Sequence, residues 1–336
     1  MNILVFSDTH GRIPLMLRIV WQWQKENNSK VDCILVTGDL GVWPDLNRLD
    51  SSTRKYCQRE PAELSFLCFD SYWDVNNTTH ELYPKEEINR AGQLLNAILP
   101  EINAPILFVG GNHEDYDYLQ SCRELNSRPE EGQLEKVLGP TGPHCISVET
   151  SGRIWWLIPE KVVSARGLTI AGLSGIDAAA DGRDPNRYHP LAVLTEDSLC
   201  SAGIRIADSL SEDSLDVLLT HDGLPNAVKT GKGSLGLAEA TRAINPRYHF
   251  FGHYHRSIEP RDYASMESEE DQSESSKWRT TAVHINKLAF RKNDDFLRDR
   301  VLANIEYQDG TTKVHFVEED WLFQLNRNNW WKIRRD

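Results

Sequence analysis

The 336-residue sequence lacks any apolar run near the roughly 20 residues that a bilayer-crossing helix needs, which excludes a helical membrane span. A basic stretch, an apolar core and a small-residue cleavage site are also missing from its start. Acidic Asp8 follows the first apolar run at once, and residues 1–6 read as a first strand, not a signal peptide. Cysteine is sparse: the six residues, at 33, 57, 68, 122, 145 and 200, show no C-x-x-C spacing. A chain of this length needs no disulfide scaffold, so the expectation is reduced thiols in a cytoplasmic protein. Positive charge is short as well, with 37 Lys and Arg against 50 Asp and Glu and a formal net charge of -13. That balance opposes loose attraction to phosphate backbones, so a nucleic-acid substrate would need a local positive site.

What is present is an ordinary globular composition, 40% hydrophobic and 26% charged, large enough to bury a core unaided. Strand and helix signals alternate: an apolar run at 3–6, a helical pattern from 14 to about 27, and a second run at 33–36. Further runs stand at 106–109, 154–157, 168–173, 217–219 and 248–251, most ending in Gly, Asp, Asn or His. This is an α/β pattern, and polar residues at strand ends are where such folds bind ligands. Strands are also expected at 281–285, 302–307 and 313–317, the last two joined by a hairpin turn at Gln308-Asp309-Gly310-Thr311. Residues 44–89 interrupt the alternation with charge and aromatics (Tyr56, Phe66, Phe69, Tyr72, Trp73, Tyr83) and read as a cap-like insertion into a domain spanning 1–317. The Ser- and Glu-rich stretch 265–277 reads as a mobile acidic loop. The tail 318–336, with Trp321, Trp330 and Trp331, is expected to pack over an edge of that domain.

Five short segments at predicted strand ends hold the residues with chemistry: Asp8-Thr9-His10, Gly38-Asp39, Gly111-Asn112-His113-Glu114, His221, and Gly252-His253-Tyr254-His255. They contain five of the eleven histidines. Neutral imidazoles with carboxylate and amide oxygens suit a divalent cation, and their number suits two. The absence of thiolates favours Mn²⁺, Fe or Zn²⁺ over a cysteine-type structural zinc site, and the number of histidines argues against Mg²⁺ or Ca²⁺ alone. Any one segment is weak evidence; a lone Asp39 could be a helix cap, and Asn112 a turn residue.

Taken together and in order, D-x-H, G-D, G-N-H-E, H and G-H-x-H resemble the calcineurin-like metallophosphoesterases, over residues 8–255. The resemblance implies a four-layer αββα sandwich of two mixed sheets flanked by helices. It implies that Asp8, His10 and His255 bind one metal, that Asn112, His221 and His253 bind another, and that Asp39 bridges them. Metal-bridging hydroxide would then attack the phosphate ester, and His113 would serve as the acid for the leaving group. Glu114 or a nearby acid such as Asp115 is expected to orient the His113 ring.

Within that superfamily, residues 108–114, 166–176 and 219–222 are more similar to the lariat-RNA debranching branch than to the protein phosphatases. The protein phosphatases follow G-D with an acidic-Arg pair, whereas Asp39 is followed here by Leu40-Gly41-Val42-Trp43-Pro44. Debranching enzymes commonly carry a cysteine at the position of Asp8, and their lariat-recognition segment has no match in 44–89. The expectation is therefore a phosphodiesterase acting on RNA or a nucleotide, with phosphomonoesterase or protein phosphatase activity, or a catalytically silent metal-binding module, as the alternatives. Arg183, Arg187 and Tyr188 in the loop 181–189 are candidates to grip a phosphate and stack a base, against an ordinary solvated loop. Lys229 and Lys232 read more simply as exposed loop residues than as substrate contacts.

Overall fold

The computed structural model describes residues 1–68, 84–125, 144–210, 214–256, 261–262 and 280–333. Its first strand, β1 (Asn2–Phe6), is followed by α1 (Ile13–Glu26), β2 (Cys33–Val36), α2 (Ser51–Cys57), α3 (Lys85–Ile98), β3 (Ile106–Phe108) and α4 (Tyr116–Glu124). Four short strands come next: β4 (Cys145–Ser147), β5 (Ile154–Leu157), β6 (Val162–Ala165) and β7 (Leu168–Leu173). Helix α5 (Glu196–Ser209), β8 (Val217–Thr220), α6 (Leu235–Ile244) and β9 (Tyr248–Phe251) continue the alternation. The remainder is β10 (Arg261–Asp262), β11 (Thr281–His284), β12 (Ala303–Gln308), β13 (Thr311–Phe316) and the short α7 (Asp320–Phe323).

These strands form two mixed sheets, one in the order β13-β12-β1-β2-β3-β5-β4 and the other β10-β11-β9-β8-β7-β6. Side chains alternate across each strand, and the alternation makes the layers. In the first sheet Leu4, Phe6, Ile34, Val36, Ile106 and Phe108 face α1 and α3. Their sequence neighbours Ile3, Val5, Leu35 and Leu107 pack instead on Ile170, Val217, Leu219 and Phe250 of the second sheet. The far face of that sheet, with Ala171, Leu173, Leu218 and Phe251, is covered by Leu199 and Ile206 of α5 and Leu237 and Ile244 of α6. The result is the expected αββα sandwich. Because both faces of each sheet are covered, the strands read as continuous apolar runs.

The two sheets approach closely at Gly172, where an added Cβ would lie 2.3 Å from Val109 Cγ1. Parallel pairing of β1 with β2, β2 with β3, β7 with β8 and β8 with β9 points the carboxyl ends of these strands the same way within each sheet. The chemistry-bearing loops leave from those ends.

Observed elements differ from the sequence expectation at several points. The third strand stops at Phe108, and the last two occupy Ala303–Gln308 and Thr311–Phe316, one or two residues from the expected bounds. The turn between them is as expected, with Asp309 at φ 50° and Gly310 at φ 78°, the twist-matching form for a two-residue hairpin. The segment 44–89 is not a separate cap throughout: α3 begins inside it, at Lys85, and packs on α1. Its described part holds α2 and Leu46, Leu49, Cys57, Leu64 and Ile88, which cluster with the preceding Trp43. Phe66 is fully buried in the main core, while Tyr56 is half exposed. Phe69, Tyr72, Trp73 and Tyr83 lie outside the described residues, as does the stretch 265–277. In the tail Trp330 is buried against the first-sheet core, with Trp321 and Trp331 packed beside it. Cys33, Cys57, Cys145 and Cys200 are free thiols, and no helix among the described residues is long and apolar enough to cross a membrane.

Candidate metal centre

Asp8 and His10 follow β1, Asp39 follows β2, Asn112 and His113 follow β3, His221 follows β8, and His253 and His255 follow β9. Loops from two sheets therefore supply one site. Five of these residues, Asp8, His10, Asp39, His253 and His255, adopt positive φ, between 44° and 69°. Such backbone costs on the order of 1–3 kcal/mol for each non-glycine residue and persists only where the surroundings enforce it. Packing is correspondingly close. An added Cβ at Gly111 would stand 2.1 Å from Asp39 Oδ1, and one at Gly252 would stand 1.8 Å from Ser7 Oγ and 2.3 Å from Asp8 Oδ2. The glycines of G-N-H-E and G-H-x-H are thus required by the approach of neighbouring loops.

Each of the two central carboxylates commits one oxygen to the protein and presents the other to the histidines. Asp8 Oδ2 accepts from Ser7 Oγ at 2.5 Å and from the His253 backbone N–H at 2.9 Å. Its Oδ1 lies 2.9 Å from His255 Nε2 and 3.8 Å from His10 Nε2. Asp39 Oδ1 accepts from the His113 backbone N–H at 2.8 Å, and its Oδ2 lies 3.2 Å from His221 Nε2 and 3.6 Å from His10 Nε2. One oxygen of Asp39 therefore faces both sets of histidines. Two groups of donor atoms each fall within 4.8 Å of one another, Asp8 with His10 and His255, and Asp8 with Asp39 and His221.

Asn112 and His253 stand beside these groups. The His253 ring lies 5.0 Å from that of His221, centroid to centroid. Asn112 and His253 line one cavity of about 340 Å³ together with Asp39. Four donor atoms in the site, His10 Nε2, Asn112 Oδ1, His221 Nε2 and His253 Nε2, are buried without a hydrogen-bond partner among the described residues. An unsatisfied buried polar group costs about 1–3 kcal/mol, so four in one place form an arrangement that a ligand completes. Nitrogen and oxygen donors around two carboxylates fit divalent cations.

For Asp8, Asp39 and His10 the electrostatics agree. Burial opposes the Asp8 carboxylate, yet the His255 and His221 charges outweigh it and hold the group well below its ordinary value. Burial likewise opposes Asp39, and His221 and His113 pull it well down. His10 is kept neutral by burial and by the charge of Lys287, leaving an imidazole lone pair for coordination. Burial disfavours the His221 imidazolium, but Asp39 pushes it up to about 10. Its Nδ1 donates to the Thr37 carbonyl at 3.0 Å, so Nε2 is the nitrogen aimed at Asp39.

His113 has a different partner from the one expected. Its Nδ1 lies 3.0 Å from Asp50 Oδ2. Glu114 is turned away from the ring and accepts the backbone N–H groups of Leu40, Gly41 and Val42 at 2.7, 3.1 and 2.7 Å. Asp115 accepts from Tyr118 N at the start of α4 and pairs with Arg48 at 2.6 Å. The expectation that Glu114 or Asp115 orients the imidazole is therefore corrected to Asp50. A second acid missed from the sequence is Asp181, buried, with Oδ2 3.5 Å from His253 Nε2. His249 is buried with Nε2 2.7 Å from Thr220 Oγ1 and stands outside the centre.

Arg183 lines the cavity that contains Asp39, Asn112 and His113, with Nη2 3.6 Å from Asp181 and Nη1 3.4 Å from the Tyr188 hydroxyl. Arg187 and Tyr188 line an adjoining cavity that shares Asn112 and His113. Lys229 and Lys232, read from the sequence as ordinary loop residues, lie on the first of these cavities, and Lys232 Nζ bonds the Asp181 carbonyl.

A family model described as calcineurin-like phosphoesterase matches residues 1–257, which include every one of these loops. The chain belongs to the calcineurin-like phosphoesterases. Membership in this family implies divalent metal ions, in keeping with the donor set described above. Among relatives of this phosphoesterase, the lariat debranching enzyme of Drosophila pseudoobscura pseudoobscura is 24% identical over 284 residues, covering 76% of this chain and 42% of that protein. Lariat debranching enzyme A of Xenopus laevis is 22% identical over 282 residues, covering 76% of this chain and 43% of that protein. The chain thus spans less than half the length of these relatives. The crystal structure of TT1561 of Thermus thermophilus aligns at 13% identity with a TM-score of 0.47, covering 94% of this chain and 98% of that one.

Proposed function

We propose that the chain is a dinuclear metal-dependent phosphodiesterase that hydrolyses RNA or a nucleotide. The observation that carries this reading is the cluster of buried, unpartnered donors, His10 Nε2, Asn112 Oδ1, His221 Nε2 and His253 Nε2, around two carboxylates that share the histidines between them. Asp8, His10 and His255 would hold one cation and Asn112, His221 and His253 the other, with Asp39 common to both. Mn²⁺ is the metal proposed, and Fe or Zn²⁺ also fits this mixed set of nitrogen and oxygen donors. Two such cations supply a water made acidic near neutral pH and a clamp for phosphoryl oxygens.

The protein's own groups do the rest. Burial disfavours the His113 imidazolium, but Asp39 and Asp50 outweigh it, so the ring holds its proton more tightly than an ordinary histidine. With Nδ1 engaged by Asp50, Nε2 is left to give that proton to the departing alkoxide. Arg183 offers a guanidinium fork at the mouth of the site, and Arg187 and Tyr188 offer a charge and a ring to the adjoining nucleotide. Distant similarity to lariat debranching enzymes supports RNA as the substrate class.

The test is hydrolysis of bis-p-nitrophenyl phosphate, of p-nitrophenyl phosphate, and of linear and branched RNA by chain stripped of metal and reloaded with Mn²⁺. Mn²⁺-dependent cleavage of the diester in preference to the monoester is expected. Preference for the monoester would replace this reading with a phosphomonoesterase, and bound metal with no cleavage would replace it with a binding module.

A further inference from the structure

On the side of His10 and His255, a second cavity of about 340 Å³ opens from the centre, and these two residues with His113 form its inner wall. Its outer wall carries six cations, Arg12, Arg59, Lys287, Lys292, Arg298 and Arg327, against two carboxylates, Glu60 and Glu63. In a chain with a formal charge of -13 this is a local reversal of sign. A nucleic-acid ligand of an acidic protein needs such a reversal.

Arg12 and Lys287 share a single carboxylate oxygen, whereas Arg327 is paired with Glu60 and, at 2.9 Å, with Asp295. Arg12 is 4% exposed; its Nη2 meets Glu63 Oε1 at 2.7 Å, but Nε and Nη1 are buried with no acceptor among the described residues. Lys287 shares the same Glu63 oxygen, at 3.8 Å. Arg298 Nη1 donates to the carbonyl of His255 at 3.1 Å. Burial pushes Lys287 down to about 8, with the Arg12 charge adding to it, and burial with Arg12 also lowers Arg298 and Arg327. Guanidinium N–H groups left without an acceptor are matched by the oxygens of a phosphate. Lys287, Lys292, Arg298 and Arg327 all lie beyond residue 257, where the family match ends.

We propose that this cavity binds a second phosphate of the substrate, the next along a nucleic-acid strand from the diester at the metal centre, an inference that rests on the phosphodiesterase reading above. The half-exposed ring of Tyr56 on the same wall gives the intervening nucleoside a surface to lie against. A lone phosphomonoester has no group to place there.

Binding distinguishes this subsite from the activity itself. Titration calorimetry on the full chain with Mn²⁺ compares thymidine 3′,5′-bisphosphate with thymidine 5′-monophosphate. The bisphosphate is expected to bind about tenfold tighter or more. In Lys287→Gln, and in the exposed double variant Arg59→Gln with Lys292→Gln that carries no folding risk, that ratio is expected to fall below about threefold. Equal affinity for the two nucleotides in the unmodified chain, or a ratio that survives in both variants, overturns the proposal. A ratio that is present and lost as expected, in a chain that cleaves no diester, keeps the phosphate site and removes the catalytic reading.

Discussion

Asp50 and His113 are joined through a carboxylate that serves two structures at once. Asp50 Oδ2 holds His113 Nδ1 at 3.0 Å, while Oδ1 caps α2 by accepting the backbone N–H groups of Ser52 and Thr53 at 2.7 and 2.9 Å. Asparagine caps a helix about as well as aspartate but carries no charge. Asp50→Asn should therefore keep the fold and metal content and lower kcat by about 10–100-fold, the usual cost of losing a group that orients a reacting one. Asp115→Asn, whose partners are Arg48 and the start of α4, should leave kcat close to the unmodified value. Steady-state kinetics on the two variants separate these assignments.

The same pair sets a pH dependence. Burial opposes the His113 imidazolium, but Asp39 and Asp50 raise its pKa above the ordinary 6.5. A group raised on folding contributes stability that is complete below the unfolded value and lost as pH rises through the folded one. In the proposed mechanism this proton is the one given to the leaving group, so kcat should fall on the alkaline side. Asp50→Asn removes one of the two charges that hold the proton, and the alkaline limb should move to lower pH. A limb that does not move in the kcat profile assigns the acid to another residue.

Two glycine substitutions should act in opposite directions. Gly111→Ala drives a Cβ to 2.1 Å from Asp39 Oδ1 and 2.5 Å from its backbone nitrogen. It should cost about 1–3 kcal/mol of stability, as overpacking does, and weaken metal retention. Gly92 lies within α3 with nothing within 4 Å of an added Cβ. Gly92→Ala should gain about 0.5–1 kcal/mol, because alanine loses less entropy in a helix. Urea unfolding with bound metal counted on each variant checks both.

Glu114 anchors the loop that carries Asp39, through three backbone N–H groups. Glu114→Ala strands those buried donors and should cost more than about 2 kcal/mol, with the loss visible as a lower urea midpoint. A midpoint within error of the unmodified chain would mean that the loop at Leu40, Gly41 and Val42 finds other acceptors.

The sequence reading was most accurate where strands are buried on both faces. The strands at 33–36, 154–157, 168–173 and 248–251 coincide with continuous apolar runs, because the αββα packing leaves them no polar side. It passed over β4 and β6, of three and four residues, at or near sheet edges, where the apolar signal is too short to separate from loop. The loops carrying Asp8, His10, Asp39, Asn112, His221, His253 and His255 were legible because each follows a strand and most carry a glycine. Asp50 was not, since an acid before Ser51 and Ser52 is the ordinary mark of a helix start and hides a second duty. Nor was the basic cavity, whose cations stand singly between residues 12 and 327 and meet only in the folded chain.

The proposed chemistry requires that the buried donors of the site hold two cations. Crystals grown with Mn²⁺ and measured at its absorption edge give the most direct answer. Two anomalous peaks about 3.5–4 Å apart are predicted, one between Asp8, His10 and His255, one between Asn112, His221 and His253, with Asp39 in contact with both. An anomalous map with no peak among these residues, or with a single peak that Asp39 does not touch, would contradict it.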